Sequence, residues 1–280
     1  MLSVRSNLSS LVSSRYINLA SRAVERSLAK LSTGKRINSA ADDPSGLAIA
    51  AKFKNQILGM AQARLNSESG SALAQTAEGG VFQITSILHR LSSLAIEAAN
   101  STLTSTDRGL IQSEVEQLIG EIDRLASVTS FNNIQLLKGS SVVGTASLQI
   151  QVGWDGPSAI SLNFMTMTST ALGINSLNLS DSTGTAGSNA IDTIKNALEK
   201  ATRLQAKLGA YQNRLQYAGD FVSLQEVYTT SALSAIEDTD FANELSRFTQ
   251  GNLLVQSATG TLAQSNMVMQ KVLTLLGVGN

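Results

Sequence analysis

The scarcity of proline constrains this chain more than any other feature. Of 280 residues only Pro44 and Pro157 are proline, so everywhere else the backbone keeps its N–H and no ring obstructs the preceding turn. Long helices are therefore open to it wherever apolar residues recur at helical spacing. From Leu8 they step by three or four through Val12, Tyr16, Leu19 and Ala23, then Val24, Leu28 and Leu31, the pattern of one helix face, until Gly34 stops it. Asp43 then stands where an N-cap belongs and Pro44 at the first helical position. The spacing resumes through Leu47, Ala50, Phe53, Ile57 and Met60 and again from Leu73 to Ala98. Unbroken from Pro44 to Ala99, that helix is roughly 80 Å long at about 1.5 Å per residue.

A third helix is expected after the polar loop Asn100–Thr106, with Ile111, Val115, Leu118, Ile122 and Leu125 on one face. Between Thr129 and Leu179 the pattern changes to short alternating runs such as Ser147–Val152 and Ala159–Leu162, split by Gly139, Gly153 and Gly156-Pro157, which reads as hairpins and turns. The Ser/Thr/Gly-rich stretch Ser180–Ser188 reads as a loop, and a helical stripe returns from Ile191 to Val222. Near the C-terminus Phe241, Phe248, Val255, Leu262, Met269 and Leu276 recur every seventh residue. A seven-residue repeat held that long is a coiled-coil surface that needs a partner helix, and the N-terminal stripe is the obvious candidate. Both terminal helices are poor in large apolar residues and marginal alone, so they are expected to order on association.

Composition removes several function classes. With no cysteine and one histidine, His89, the chain offers no thiolate nucleophile, no Cys-ligated metal and little for histidine chemistry. Charges balance at zero, against the broad basic field that nucleic acid or an anionic membrane selects. They are unevenly placed: residues 1–54 hold nine Lys/Arg against three Asp/Glu, net +6, and residues 55–280 twelve against eighteen, net −6. That asymmetry can orient head-to-tail or terminus-to-body contacts between copies. No apolar core of a secretory signal follows Met1, and Phe248–Gln270 carries too many polar residues to span a membrane. Asp42-Asp43 reads as capping, not as a catalytic pair. There is no His-Glu-x-x-His and no Gly-x-x-x-x-Gly-Lys-[Ser/Thr]. Trp154, between Gly153 and Asp155-Gly156-Pro157, reads as a hairpin packing residue. No catalytic, cofactor or metal residue is expected.

Several blocks closely resemble bacterial flagellins. The longest is Arg26-Ser-Leu-Ala-Lys-Leu-Ser-Thr-Gly-Lys-Arg-Ile-Asn-Ser-Ala-Ala-Asp-Asp-Pro-Ser-Gly46; others are Asn66–Glu78, Leu94–Ser101, Glu121–Leu137 with Phe131-Asn132, Ile236–Glu244 and Leu262–Asn266. They frame approximately residues 1–180 and 188–280. The resemblance implies a filament protein whose two ends pair as coaxial helices lining a central channel, inside an outer tube of long helices. It implies location in the extracellular flagellar filament, and export through the flagellar export apparatus, partly unfolded and without a cleaved signal peptide. Its implied partners are other copies of itself, a C-terminal-binding secretion chaperone, the filament cap and hook-junction proteins. The segment between the blocks is short, leaving no room for the outer domains many flagellins carry. The surface that the flagellin-sensing Toll-like receptor reads in the family matches Arg90, Leu94 and Glu114 here, the rival role being contact between protofilaments. Ser92-Ser93 stand where strongly recognised members have residues similar to Arg-Glu.

The resulting expectation is a mostly α fold, a long antiparallel helical bundle of coiled-coil-like hairpins, with a small β region between the N- and C-terminal halves. Residues 1–34 and 241–280 are expected to be polymerisation helices, 35–138 and 188–240 the two parts of a helical core, and 139–187 its β region. The polymerisation stripes are Leu8, Val12, Leu19, Leu28 and Leu31 at one end and Phe241, Phe248, Val255, Leu262, Met269 and Leu276 at the other. The function expected is that of a self-assembling filament subunit. The alternatives are a hook–filament junction protein and, in another class, an enzyme or adhesin on a helical stalk; fifty-odd residues of cap leave little space for a catalytic site.

Overall fold

The computed structural model describes residues 7–139, 147–180, 185–275 and 277. The fold is mostly helical: α1 Leu8–Thr33, α2 Pro44–Ala98, α3 Ser105–Val128, a short α4 Ser169–Leu172, α5 Thr185–Glu237 and α6 Phe241–Leu275. Two antiparallel strand pairs join them, β1 Ser130–Phe131 with β2 Ile134–Gln135, and β3 Ser147–Gln151 with β4 Ala159–Asn163. The starts and stops have local causes. Asn7 caps α1 by accepting from the Ser10 amide, and Gly34 ends it in the left-handed region at φ 69°. Asp43 accepts from the Gly46 amide at 2.9 Å, opening α2 at Pro44. Thr104 and Asp107 form a reciprocal capping box at the head of α3.

The chain divides into two compact units, residues 1–55 with 228–280 and residues 56–227. Both divisions fall within a helix, α2 and α5 respectively. In the 56–227 unit one continuous core carries the packing. Val81, Ile84, Leu88 and Leu91 of α2, Val115 and Ile122 of α3, Leu162 of β4 and Leu204 and Leu208 of α5 are all fully buried. Small residues keep the helices close: Ala74, Ala77, Ala95, Ala98, Ala197 and Ala201 are buried beside them, which is how a chain with 4% aromatics fills its interior.

Polar anchors fix the connections of this unit. Arg108, 1% exposed, donates from Nε to the Ala98 carbonyl and from Nη2 to that of Asn100, both at 2.9 Å, so a buried cation satisfies the last carbonyl of α2 and one in the turn that follows. Asp123 accepts from the Ser169 amide and hydroxyl at 2.8 and 2.6 Å, pinning the start of α4 to α3. Gln112 donates to the Leu177 carbonyl and accepts from the Leu179 amide. Asn132 and Asn133, at φ 48° and 62°, make the two-residue turn between β1 and β2, a turn that needs positive φ at both positions. On α2, Gly59 and Gly70 let the β3–β4 hairpin close in: a Cβ on Gly59 would lie 2.8 Å from that of Trp154, and one on Gly70 3.2 Å from Ile150.

Candidate functional site

In the unit formed by the chain ends, α1 and α6 run antiparallel. The Ser27 hydroxyl donates to Glu244 Oε1 at 2.6 Å, Gly251 lies against Val24, and the Ser265 hydroxyl donates to Asn7 Oδ1 at 3.2 Å, so rising numbers on one helix meet falling numbers on the other. Each helix turns a heptad seam to its partner. On α6 the sheltered positions are Glu244, Phe248, Gly251, Val255, Ala258, Leu262, Ser265 and Met269, the alternating three-and-four spacing of a coiled coil. On α1 the corresponding seam is Ser10, Ser13, Ile17, Ala20, Val24, Ser27 and Leu31, with Ser14, Ser21 and Lys30 half-sheltered at its flank and Gly34 just past its end.

The pairing of the ends thus agrees with the seven-residue repeat of α6, but the face that α1 offers is not the expected one. Leu31 and Val24 lie on the seam; Leu8, Leu11, Val12, Tyr16, Leu19 and Leu28 are exposed, Leu8 and Leu11 at 69%. Serine and alanine fill the inner positions because α6 brings the bulk there, and because two helices approach closely only where small side chains let them. On the other stripe, Phe248, Val255, Leu262 and Met269 are half-sheltered along the seam with α1, while Phe241 is 57% exposed, its ring 3.9 Å from where a Cβ on Gly34 would stand. Leu276 lies outside the described residues.

A clasp sits beyond the head of this hairpin. Glu237, buried at the end of α5, accepts from Lys35 and Lys54, each at 2.7 Å. Arg36 donates from its amide to the Glu237 carbonyl at 2.6 Å and from its guanidinium to that of Ile236, and the Thr239 amide donates to Gly34. The α1–α2 turn and the α5–α6 turn are thereby stitched together. Burial pushes the Glu237 carboxyl up, but the hydrogen bonds and charges of the two lysines outweigh it and hold it below the ordinary glutamate range. Asp42 is held low by the Asn38 and Ser39 amides of the preceding turn, and Asp43 by the Gly46 amide that it caps. Sequence reading treats Lys35, Lys54 and Glu237 as unconnected, since nothing local relates residues about two hundred positions apart.

In the 56–227 unit, Arg90 and Glu114 meet across α2 and α3, Nε to Oε1 at 2.8 Å, both half-exposed. Leu94 is 2% exposed and belongs to the core. Of the three residues matched to the receptor surface, Arg90 and Glu114 thus lie at the surface and Leu94 is packed inside. His89 is exposed on α2. Among the described residues no three His, Asp or Glu side chains gather as a metal site, and no helix is long and apolar enough to cross a membrane.

Comparison with known proteins identifies the family through both ends of the chain. The profile of the bacterial flagellin N-terminal helical region matches residues 4–142, and that of the C-terminal helical region residues 191–276. The flagellar filament 31.3 kDa core protein of Treponema maltophilum is 36% identical over 98% of this chain and 99% of its own length. The flagellin of Bacillus subtilis is also 36% identical, with the same coverage. The crystal structure of Bacillus cereus flagellin superposes with a TM-score of 0.49 at 26% identity, covering 56% of this chain and 88% of that one. The relatives are filament core proteins and none of this favours the hook-junction alternative. The chain belongs to the bacterial flagellin family, and is a structural, self-assembling subunit of the flagellar filament, not an enzyme.

Proposed function

We propose that the chain polymerises through the outer face of its α1–α6 hairpin, residues 1–34 and 241–280 acting as the assembly elements. The observation that carries this is the unpartnered stripe on α1. Leu8, Leu11, Val12, Leu19 and Leu28 remain exposed although α1 already has a helix partner, and a soluble chain has no reason to keep such a stripe on the back of a hairpin unless another copy covers it. Phe241 extends the apolar surface at the hairpin head. In this reading Leu31, Phe248, Val255, Leu262 and Met269 hold the hairpin that presents the stripe. Each copy offers one surface to a different surface of the next, so the rotation does not close and a helical filament grows.

Membership of the flagellin family supports further partners: the flagellar export apparatus, a secretion chaperone that holds the C-terminal helix before assembly, the filament cap and the hook-junction proteins, with the finished filament extracellular and the subunit exported without a cleaved signal. The exposed Arg90–Glu114 pair is the part of the receptor-matching surface a flagellin-sensing Toll-like receptor reaches, with Leu94 as its support.

Replacing Leu8 and Leu19 together by serine tests the stripe. Neither residue touches the seam, so circular dichroism is expected to keep its helical signal while ammonium sulfate no longer yields long tubes in negative-stain micrographs. Tubes of normal length from the double variant would show that α1's outer face is not the assembly surface.

A further inference from the structure

Charge that balances over the whole chain does not balance over the hairpin of its ends. Residues 8–33 and 241–275 hold six cations, Arg15, Arg22, Arg26, Lys30, Arg247 and Lys271, and two acids, Glu25 and Glu244. Glu244 is buried and accepts from the Ser27 hydroxyl, so Glu25 is the one acid of these two helices that faces outwards.

The arginines of α1 stand on its apolar face, not opposite it. At 3.6 residues per turn, Leu8, Leu11, Val12 and Leu19 fall within about 100° of arc, and Arg15, Arg22 and Arg26 fall inside the same arc. Glu25 lies outside it. The four apolar residues are 44–69% exposed, and the three arginines are exposed with them. None of the three is in an ion pair among the described residues; Arg26 donates from Nε to the Arg22 carbonyl of its own helix at 3.3 Å. Leucines interleaved with unpaired guanidinium groups fit a partner that is apolar within and anionic at its surface. The hairpin of a second copy does not meet that need, since it brings cations of its own to the contact. A bilayer that contains anionic lipid does. An amphipathic helix lies in the plane of such an interface with its apolar side chains at the boundary of headgroups and acyl chains, while arginine stems cover apolar surface and their heads extend to phosphate.

From this we propose that the free subunit binds an anionic lipid surface through the outer face of α1, with Leu8, Leu11, Val12 and Leu19 entering the interface and Arg15, Arg22 and Arg26 reaching the lipid phosphates. The contact is peripheral, as no helix among the described residues is long and apolar enough to cross a membrane. It goes beyond the assembly reading and belongs to the subunit before assembly. Where a second copy covers the same leucines, lipid and polymer compete for one stripe.

The test uses full-length protein, cleared of tubes by centrifugation and kept dilute, mixed with dense vesicles of phosphatidylcholine alone or of phosphatidylcholine with phosphatidylglycerol. The expected result is co-sedimentation with the mixed vesicles at an apparent affinity about tenfold or more above that for phosphatidylcholine alone, weakening steeply as salt is raised. In Arg15→Gln/Arg22→Gln/Arg26→Gln the preference for mixed vesicles is expected to disappear, and in Leu8→Ser/Leu19→Ser binding to them is expected to fall about tenfold or more. Equal affinity for the two vesicles overturns the proposal, and so does wild-type binding by the triple arginine variant. Binding of the wild type to neither vesicle also overturns it and assigns the arginines to an acidic protein surface instead. The salt dependence of the wild type separates charge recognition from apolar adhesion without recourse to any variant. Tube formation in ammonium sulfate is scored in separate samples free of lipid, so failure of the assembly reading and failure of the lipid contact are told apart.

Discussion

At the scale of single residues the arrangement depends on a few buried charges whose partners are distant in sequence. Glu237 is the clearest. Its carboxylate is buried and acceptor-only, and the Lys35 and Lys54 ammonium groups satisfy it. In Glu237→Gln an amide N–H is turned towards two cations, at a cost of about 1–3 kcal/mol to the local structure. Because the folded carboxyl lies below its ordinary range, the clasp is fully present above the unfolded value near 4.3 and is lost as pH falls through the depressed folded value. Hydrogen exchange reads this directly, since the Arg36 and Thr239 amides close the two turns. After correction for intrinsic rates, their protection is expected to fall towards acid pH in the wild type, and to be about 5- to 100-fold lower at neutral pH and almost pH-independent in the variant. Equal pH slopes in the two proteins would remove Glu237 from the clasp. Neither this cluster nor the buried Arg108 was legible in the sequence, because a carboxylate and two lysines acquire a common site only when separate turns are brought together. The Asp43–Pro44 start was legible, since a cap and a fixed φ act within three residues.

Between elements, the instructive case is the hairpin of the chain ends. The heptads of α6 are marked by large apolar residues and were readable; those of α1 are marked by serine, alanine and glycine, so a search for apolar periodicity picks out the opposite face. Both readings follow from one fact: a helix with two contact surfaces carries two periodic patterns, and the bulkier pattern is the easier to see. The small-residue face has its own test. A Cβ on Gly251 would lie 2.7 Å from Val24 Cγ2, and valine, β-branched in a helix, has one strongly preferred rotamer and yields only at a cost. Gly251→Ala gains helix propensity, up to about 1 kcal/mol, yet must push α1 away at a cost of about 1–3 kcal/mol. The net expectation is a looser hairpin: faster exchange for α1 amides around Val24 with α3 unchanged. Slower exchange in α1 would mean that the close approach contributes nothing and propensity alone decides. Gly260, with no atom within 4 Å of its Cβ position, is the control, where alanine is expected to stabilise α6.

For the molecule as a whole, the division into two units separates what holds a subunit together from what its ends do. The 56–227 unit has a continuous core of leucine, isoleucine, valine and alanine, whereas α1 and α6 share one seam in which Ser10, Ser13, Ala20 and Ser27 occupy four of the seven α1 positions. At about 25 cal/mol per Å² of apolar area such positions contribute little, so the hairpin is expected to open more readily than the core of the 56–227 unit. Trypsin reports on this through Arg15, Arg22 and Arg26, all exposed on α1. In dilute monomer these bonds are expected to be cut first, with a fragment close to residues 56–227 persisting longest. In assembled tubes the same bonds are expected to be protected at least tenfold, because covering the outer stripe of α1 shields the side chains that lie between its leucines and at the same time removes the opening on which cleavage depends. Protection of Arg15 and Arg22 without assembly would place the stripe against its own chain; cleavage at monomer rates within pelleted tubes would mean that the outer face of α1 stays bare in the polymer and that the subunits are joined through the 56–227 unit alone.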